Sequence, residues 1–394
     1  MEKTVYLDNA ATTRVDERVL EAMQPFFTER YGNASSLHAL GIDARNALAE
    51  SREAIAGALN ASAGEIVFTA GGSEADNLAV IGAAMANRTK EKNRIVVSAI
   101  EHPAVYNAAE FLKRSGFDVV FLPVDAKAFV NIDALRKALT PETILVSVMH
   151  ANNEVGTIEP IQEVAELCKK QGVLFHTDAV QSFTKEKIDL KALPADFVSL
   201  SSHKIHGPKG AGALFVRRGT RVQPLVYGGP HEHRLRAGTE NVAGIVGFAE
   251  AAKLAQREAP KAVPKMRELR DSLIKRVLEI DGAYLNGAEP SSDTGGIDKR
   301  LCNNAHFRFD AIEGEAILLR LDALGVQGST GSACSSASLK PSRVLLSMGL
   351  SHVQAHGSLR LSLSKFSTCE EIVYAGDCVE KVVKELREFS ALKK

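Results

Sequence analysis

A two-domain α/β protein is predicted, on three observations. Between about residues 60 and 220, short apolar runs alternate with amphipathic helical stretches. The runs are apolar almost throughout, as strands are when helices cover both faces of their sheet. After roughly residue 250 the style changes to a long charged helix and a few spaced strands, which reads as a smaller α+β unit. The length of 394 residues agrees, because one hydrophobic core rarely organises so long a chain.

Seven strands are expected in the first unit: EIVFTA (65–70), RIVVSAI (94–100), DVVFLPV (118–124), TILVSVMHA (143–151), GVLFHTDA (172–179), DFVSLSS (196–202) and GALFVRR (212–218). Helical periodicity fills the gaps, as in IQEVAELCKKQG (161–172), which stops at a glycine suited to the left-handed cap position. The charged helix is expected over about 260–280, and SLRLSLS as a later strand. The expected division is a large domain over 15–260 and a small domain from 1–14 and 261–394. The small domain carries a Gly/Ser-rich loop at about 325–338.

Forty-eight basic residues balance forty-eight acidic ones, so no charge footprint for nucleic acid or an anionic membrane is expected. The opening MEKTVYLDNAATTR lacks the layout of a secretory signal, and no apolar run is long enough to span a bilayer. Five scattered cysteines without a CxxC pair argue against a disulfide framework or a zinc site and for a reducing cytoplasm.

In open α/β sheets, ligands bind beyond the carboxyl ends of the strands. Several expected strands end on groups that are poor stabilisers there. GGSEADN follows the first, Glu101-His102 the second and Asn152-Asn153-Glu154 the fourth; Asp178 ends the fifth, with Gln181 a turn later, and His203-Lys204 follow the sixth. Each alone has a plainer explanation: Lys204 a snorkelling surface lysine, His102 a satisfied histidine, Asp178 a helix cap. The GPKG at 207–210 lacks phosphate-loop spacing and reads as a turn. Together they meet the demands of a pyridoxal phosphate pocket. Lys204 offers the amine for the aldehyde, and Asp178 the buried carboxylate that keeps the pyridine nitrogen protonated. Gly72 and Ser73 offer helix-start amides to the phosphate, with donors added by Ser201 and His203. His102 is placed to stack on the ring and move protons, and Asn153 and Gln181 to bond the ring hydroxyl.

One cysteine needs its own account. Cys168, Cys302, Cys369 and Cys378 are read as structural, Cys168 within a helix core. Cys334 lies in GSTGSACSSASLKPSR, too rich in small polar residues to pack, so its thiol is expected on an exposed, mobile loop. A pyridoxal site with a mobile thiol points to chemistry on a substrate sulfur.

The chain resembles the pyridoxal phosphate-dependent cysteine desulfurases of the NifS/IscS type, in the class-V aminotransferase family. The matching segments are YLDNAATT (6–13), YGNASSLH (31–38), EIVFTAGGSEADN (65–77), EH (101–102), MHANNEVG (149–156), HTDAVQS (176–182), SSHKIHGPKG (201–210), LRAGTEN (235–241), GSACSS (331–336) and SLRLSLSKF (358–366). The resemblance implies fold type I, a mainly parallel seven-stranded sheet flanked by helices, and a homodimer. It makes Lys204 the lysine that anchors the cofactor and moves the Cα proton, Asp178 the ring-nitrogen partner and His102 the stacking acid/base. Ser73, Ser201 and His203 would hold the phosphate, with Thr239 reaching in from the other subunit. Asn33, Asn153 and Arg360 would hold the substrate, the Arg360 fork matching its carboxylate. Cys334 would take sulfur from L-cysteine as a persulfide, leaving L-alanine, and pass it to an iron–sulfur scaffold or another acceptor. Ser73 stands where many relatives have threonine, which keeps the hydroxyl. A selenocysteine lyase, a cysteine-sulfinate lyase or a non-catalytic sulfur-trafficking scaffold are the alternatives; for the two lyases Cys334 would be dispensable.

Overall fold

The structure, a computed structural model, describes residues 4–291, 298–331 and 341–389. The short strand β1 (Val5–Tyr6) precedes a seven-stranded sheet built from β2 (Ile66–Thr69), β3 (Arg94–Ser98), β4 (Asp118–Leu122), β5 (Thr143–Ser147), β6 (Leu174–Asp178), β7 (Phe197–Ser201) and β8 (Gly212–Val216). Their spatial order is β2-β8-β7-β6-β5-β3-β4. Only β8 runs antiparallel to its neighbours; the other pairs are parallel. All seven expected strands form. Their uniform apolar character follows from burial on both faces, where Phe175, Phe197 and Phe215 are fully enclosed. Each such ring contributes about 2 kcal/mol of apolar burial.

One face packs on the helix Ala39–Ala58 and the first part of the helix Val242–Leu278. The helical run that begins at Gly72–Asn77 and the helix Pro103–Arg114 cover the other. The helix Ile161–Gln171 ends at Gly172 in the left-handed conformation, φ 65°, as its sequence required.

A second core is built on β9 (Ala283–Leu285), β10 (Asn304–Phe309) and β12 (Ser358–Ser362), antiparallel in the order β12-β10-β9. Before β12, the strand β11 (Val326–Gln327) pairs in parallel with β1, which draws the start of the chain into this unit.

The charged helix departs from expectation. It starts at Val242 rather than near 260 and runs unbroken to Leu278, with Pro260 and Pro264 inside it. Proline breaks most helices because it removes an N–H and crowds a preceding carbonyl. Both prolines here lie on the exposed middle of the helix, where water can satisfy the freed carbonyls. The stretch Ala243–Leu254 is buried in the first core, and Leu269–Val277 in the second. Within the second part Arg270 is fully buried. It donates to Asp298 and to the carbonyls of Arg300 and Leu301, fastening the loop that precedes β10.

Candidate active site

A cavity of about 540 Å³ opens where β3, β5, β6 and β7 end, closed on one side by residues 10–12 from the start of the chain. Ten residues singled out from sequence line it: Gly72, Ser73, His102, Asn153, Asp178, Gln181, Ser201, His203, Lys204 and Arg360. Parallel strands make this convergence possible, since their carboxyl ends all face one edge of the sheet.

Lys204 lies on the short turn Ser202–Lys204 that follows β7. Its Nζ donates to the carbonyl oxygens of Ala10 and Ala11, each at 2.6 Å. Asp178 is the last residue of β6, and its Oδ1 accepts the N–H of Val180 at 2.9 Å. No helix starts there, so Asp178 bonds the turn that follows β6 instead of capping a helix, and it lines the cavity. Burial pushes this carboxyl up to about 6, against the pull of the Val180 N–H and the Lys204 charge. His102 caps the helix Pro103–Arg114, its Nδ1 accepting the N–H of Ala104 at 3.2 Å. That bond leaves the proton of the neutral ring on Nε2. Burial draws His102 down to about 4, reinforced by the positive charges of Lys204 and Arg343, so the imidazole is neutral near pH 7.

At the other end of the cavity, Gly72 approaches Val180 so closely that a Cβ on it would stand 2.8 Å from Val180 Cγ2. Beside it, Ser201 Oγ is buried with no hydrogen-bond partner among the described residues. Arg360 donates to the carbonyl of Asn153 and to Asp8 Oδ1, both at 2.9 Å, while its buried Nε has no partner among the described residues. His203 Nδ1 lies 3.1 Å from Thr12 Oγ1, and Gln181 Nε2 donates to the carbonyl of Ala10 at 2.9 Å. These groups fit pyridoxal phosphate: an amine for its aldehyde, a buried carboxylate for its nitrogen, and an unspent hydroxyl beside a glycine for its phosphate.

Two expected site residues stand elsewhere. Asn33 is exposed, bonding the N–H of Ser35, and Thr239 is exposed; neither lines this cavity. Cys334 lies outside the described residues. Of the other cysteines, Cys168, Cys302 and Cys378 are buried as expected, but Cys369 is exposed. It opens the helix Cys369–Phe389 on the solvent side of the first turn, whose buried side is Ile372, so it does not pack a core.

Two buried polar residues, one lining the cavity and one behind it, escaped the sequence reading. Asp76, three positions after Ser73, lines the cavity and is buried. His176 is buried two residues before Asp178 on the same face of β6. Its Nδ1 meets Ser147 Oγ at 2.8 Å and its Nε2 meets Ser199 Oγ at 2.9 Å. The period-two spacing in HTD was the available signal for His176.

Glu101 is a third buried acid. One carboxylate oxygen accepts the N–H of Met149 at 2.7 Å and the other has no partner among the described residues. Burial pushes it up to about 8 from its ordinary 4.5. The folded protein then binds one more proton than the unfolded chain across that window, so stability falls as pH rises through it. Glu101→Gln is expected to remove this dependence. Its stability relative to the parent should improve by on the order of 2 kcal/mol between about pH 6 and pH 9 in denaturant titrations. A difference that does not change with pH would mean Glu101 is already ionised at the lower value.

A family model described as Aminotransferase class-V matches residues 5–374. The chain is 50% identical over 393 residues to Cysteine desulfurase IscS of Clostridium botulinum, covering all of this chain and 97% of that relative. It is 48% identical over 394 residues to Cysteine desulfurase IscS of Dictyoglomus turgidum, covering all of this chain and 98% of the relative. A solved structure titled "NIFS-LIKE PROTEIN" matches with a TM-score of 0.89 and 37% identity, over 98% of this chain and 100% of that one. The fold is accordingly the type I fold of pyridoxal phosphate enzymes, and the chain belongs to the class-V aminotransferase family.

Proposed function

We propose that this protein is a pyridoxal phosphate-dependent cysteine desulfurase that converts L-cysteine to L-alanine and holds the sulfur as a persulfide on Cys334. The observation that carries the reading is the convergence of Lys204, Asp178, His102 and Arg360 on one cavity, in a chain about half identical to proteins named cysteine desulfurase. When bound, pyridoxal phosphate supplies a protonated, electron-withdrawing ring that stabilises negative charge at the substrate's carbon skeleton.

The chain's own residues do the rest. Lys204 would anchor the aldehyde and then take the Cα proton. Asp178 would keep the ring nitrogen protonated, and neutral His102 would stack on the ring with a proton to give from Nε2. Gly72, Ser73, Ser201 and His203 would hold the phosphate, joined by Thr239 of a second subunit. Asn153 and Gln181 would bond the ring hydroxyl. Arg360, with Asn153, would hold the substrate carboxylate and so aim its sulfur outward, while Asn33 would need to be brought to the cavity to join them. The Cys334 thiolate attacks that sulfur: an S–S bond forms, the Cβ–S bond breaks, and its electron pair stays with carbon, which a proton completes as alanine.

A homodimer is inferred because Phe27, Tyr31 and Leu37, around Asn33, and Tyr227 are large apolar side chains left exposed on the single chain. Thr239, too, is exposed, as a residue serving a neighbour's cavity must be. The acceptor is read as an iron–sulfur scaffold or another sulfur-carrying protein, and the compartment as the cytoplasm, in keeping with buried free thiols. The two domains are taken to meet within the helix Val242–Leu278, supported by its two separately buried stretches.

Mass spectrometry of protein treated with L-cysteine tests the reading. One added sulfur is expected on the peptide containing Cys334, with equimolar L-alanine, and neither in Cys334→Ser. Alanine released in repeated turnovers by Cys334→Ser would remove the thiol from the mechanism and favour the selenocysteine or sulfinate lyase reading.

A further inference from the structure

The cavity floor holds more carboxylate than the proposed chemistry uses. Asp76 and Asp178 are both buried, and carboxylate oxygens of the two lie within 4.8 Å of each other and of a His102 nitrogen. Two anions so close in a dry site repel strongly, and one proton between them relieves the repulsion. Their surroundings are unequal. Asp178 has the Val180 N–H and the positive charge of Lys204. Among the described residues no cation contacts Asp76 and its Oδ1 has no hydrogen-bond partner, while Ser199 hydrogen-bonds the carboxyl.

Behind Asp76 runs a polar row across three strands: Ser147 on β5, His176 on β6 and Ser199 on β7. Burial pulls His176 down to about 3, so its ring is neutral and offers Asp76 no charge, though Nε2 comes within 3.6 Å of Oδ1. With the His176 proton on Nε2, Ser147 donates to Nδ1 and Nε2 donates to Ser199. The Ser199 hydroxyl is then free to donate to Asp76. Every hydrogen in the row is spent without an ion.

We propose that Asp76 holds a proton on behalf of Asp178, so that Asp178 alone is the anion that meets the ring nitrogen. Asp76 is thus a positioning residue acting through Asp178, and the inference deepens the proposed function by resting on Asp178 as the nitrogen's partner. The groups facing the pair from the packed elements are His176 on β6, Glu101 and His102 after β3, and Lys204 after β7, with His203 and Arg360 on the cavity wall. Among these, Lys204 is the cation that acts on Asp178, while Glu101, itself held protonated near neutral pH, brings little charge. The pull of Lys204 sends the proton to Asp76.

Infrared difference spectroscopy on cofactor-free protein reads the proton directly. In the spectrum of the parent minus Asp76→Asn near neutral pH, the expected loss is one carbonyl stretch of a protonated carboxylic acid, shifting in D2O. Loss of carboxylate stretches instead overturns the proposal. Asp178→Asn gives a second reading that does not depend on the Asp76 variant folding. Without the neighbouring charge, the protonated-acid band, assigned to aspartate by 13C labelling because Glu101 is protonated there as well, should titrate away about one pH unit or more lower than in the parent. A band that titrates unchanged overturns the sharing. Because both spectra are taken without cofactor, a failed role for Asp178 at the ring nitrogen would show separately, as an unaltered cofactor absorbance and affinity in Asp178→Asn.

Discussion

Replacing Lys204 with alanine should lower L-cysteine turnover by more than about 10⁴-fold and abolish trapping of the cofactor by borohydride. Anchoring and proton transfer are lost together, and each step of such acid–base work is worth roughly 10²–10⁴-fold. The ammonium is held by two carbonyls, Ala10 and Ala11, at 2.6 Å, so the variant also takes a donor from each, although Ala10 keeps Gln181 Nε2. A secondary effect separates this variant from a merely unfolded one. The Lys204 charge pulls the Asp178 carboxyl down, so in Lys204→Ala that carboxyl rises above its value of about 6. Residual cofactor binding should then weaken as pH falls toward neutrality. Persistent borohydride trapping would transfer the anchoring role to Lys209, the other lysine lining the cavity.

Arg360→Ala should reduce kcat/KM for L-cysteine by about 10³-fold, because losing one partner of a buried charged contact costs 2–5 kcal/mol. The side chain is 1% exposed, so its guanidinium has already shed water, and its Nε is unspent. A substrate carboxylate entering the cavity would find that donor and compete with Asp8 for the terminal nitrogen. Arg360→Lys keeps the charge but not the planar fork. It should raise KM by at least about 10-fold with a smaller change in kcat. An unchanged KM in both variants would reassign Arg360 to holding Asp8 and the Asn153 carbonyl, a structural role. In that case the thermal midpoint would fall without any change in substrate affinity.

What the sequence disclosed divides along physical lines. The strands were readable because a sheet covered on both faces demands nearly unbroken apolar runs, and β5 and β7, buried at every position, are broken only by threonine and serine. Lys204, His102 and Asp178 were readable because each is a charged or titratable group at the end of an apolar strand, and Arg360 through the resemblance over SLRLSLSKF. The helix Val242–Leu278 was not, since Pro260 and Pro264 are permitted only by the solvent exposure of that stretch, which is a tertiary fact. Asp76 and His176 were hidden for a related reason. A polar residue in a helix or strand looks ordinary until its neighbours are known to be buried. The carbonyls of Ala10 and Ala11, which receive Lys204, carry no side-chain signal at all; only the resemblance over YLDNAATT marked that segment.

The polar contacts of Lys204 and Arg360 have a consequence for the order in which the pocket assembles. The carbonyls that hold the Lys204 ammonium belong to residues 10 and 11, and residue 8 of the same segment holds the guanidinium of Arg360. Contacts between positions so far apart in sequence carry a loop-closure cost and are met late in folding. The seven-stranded sheet can therefore form before the wall that receives the substrate carboxylate is in place.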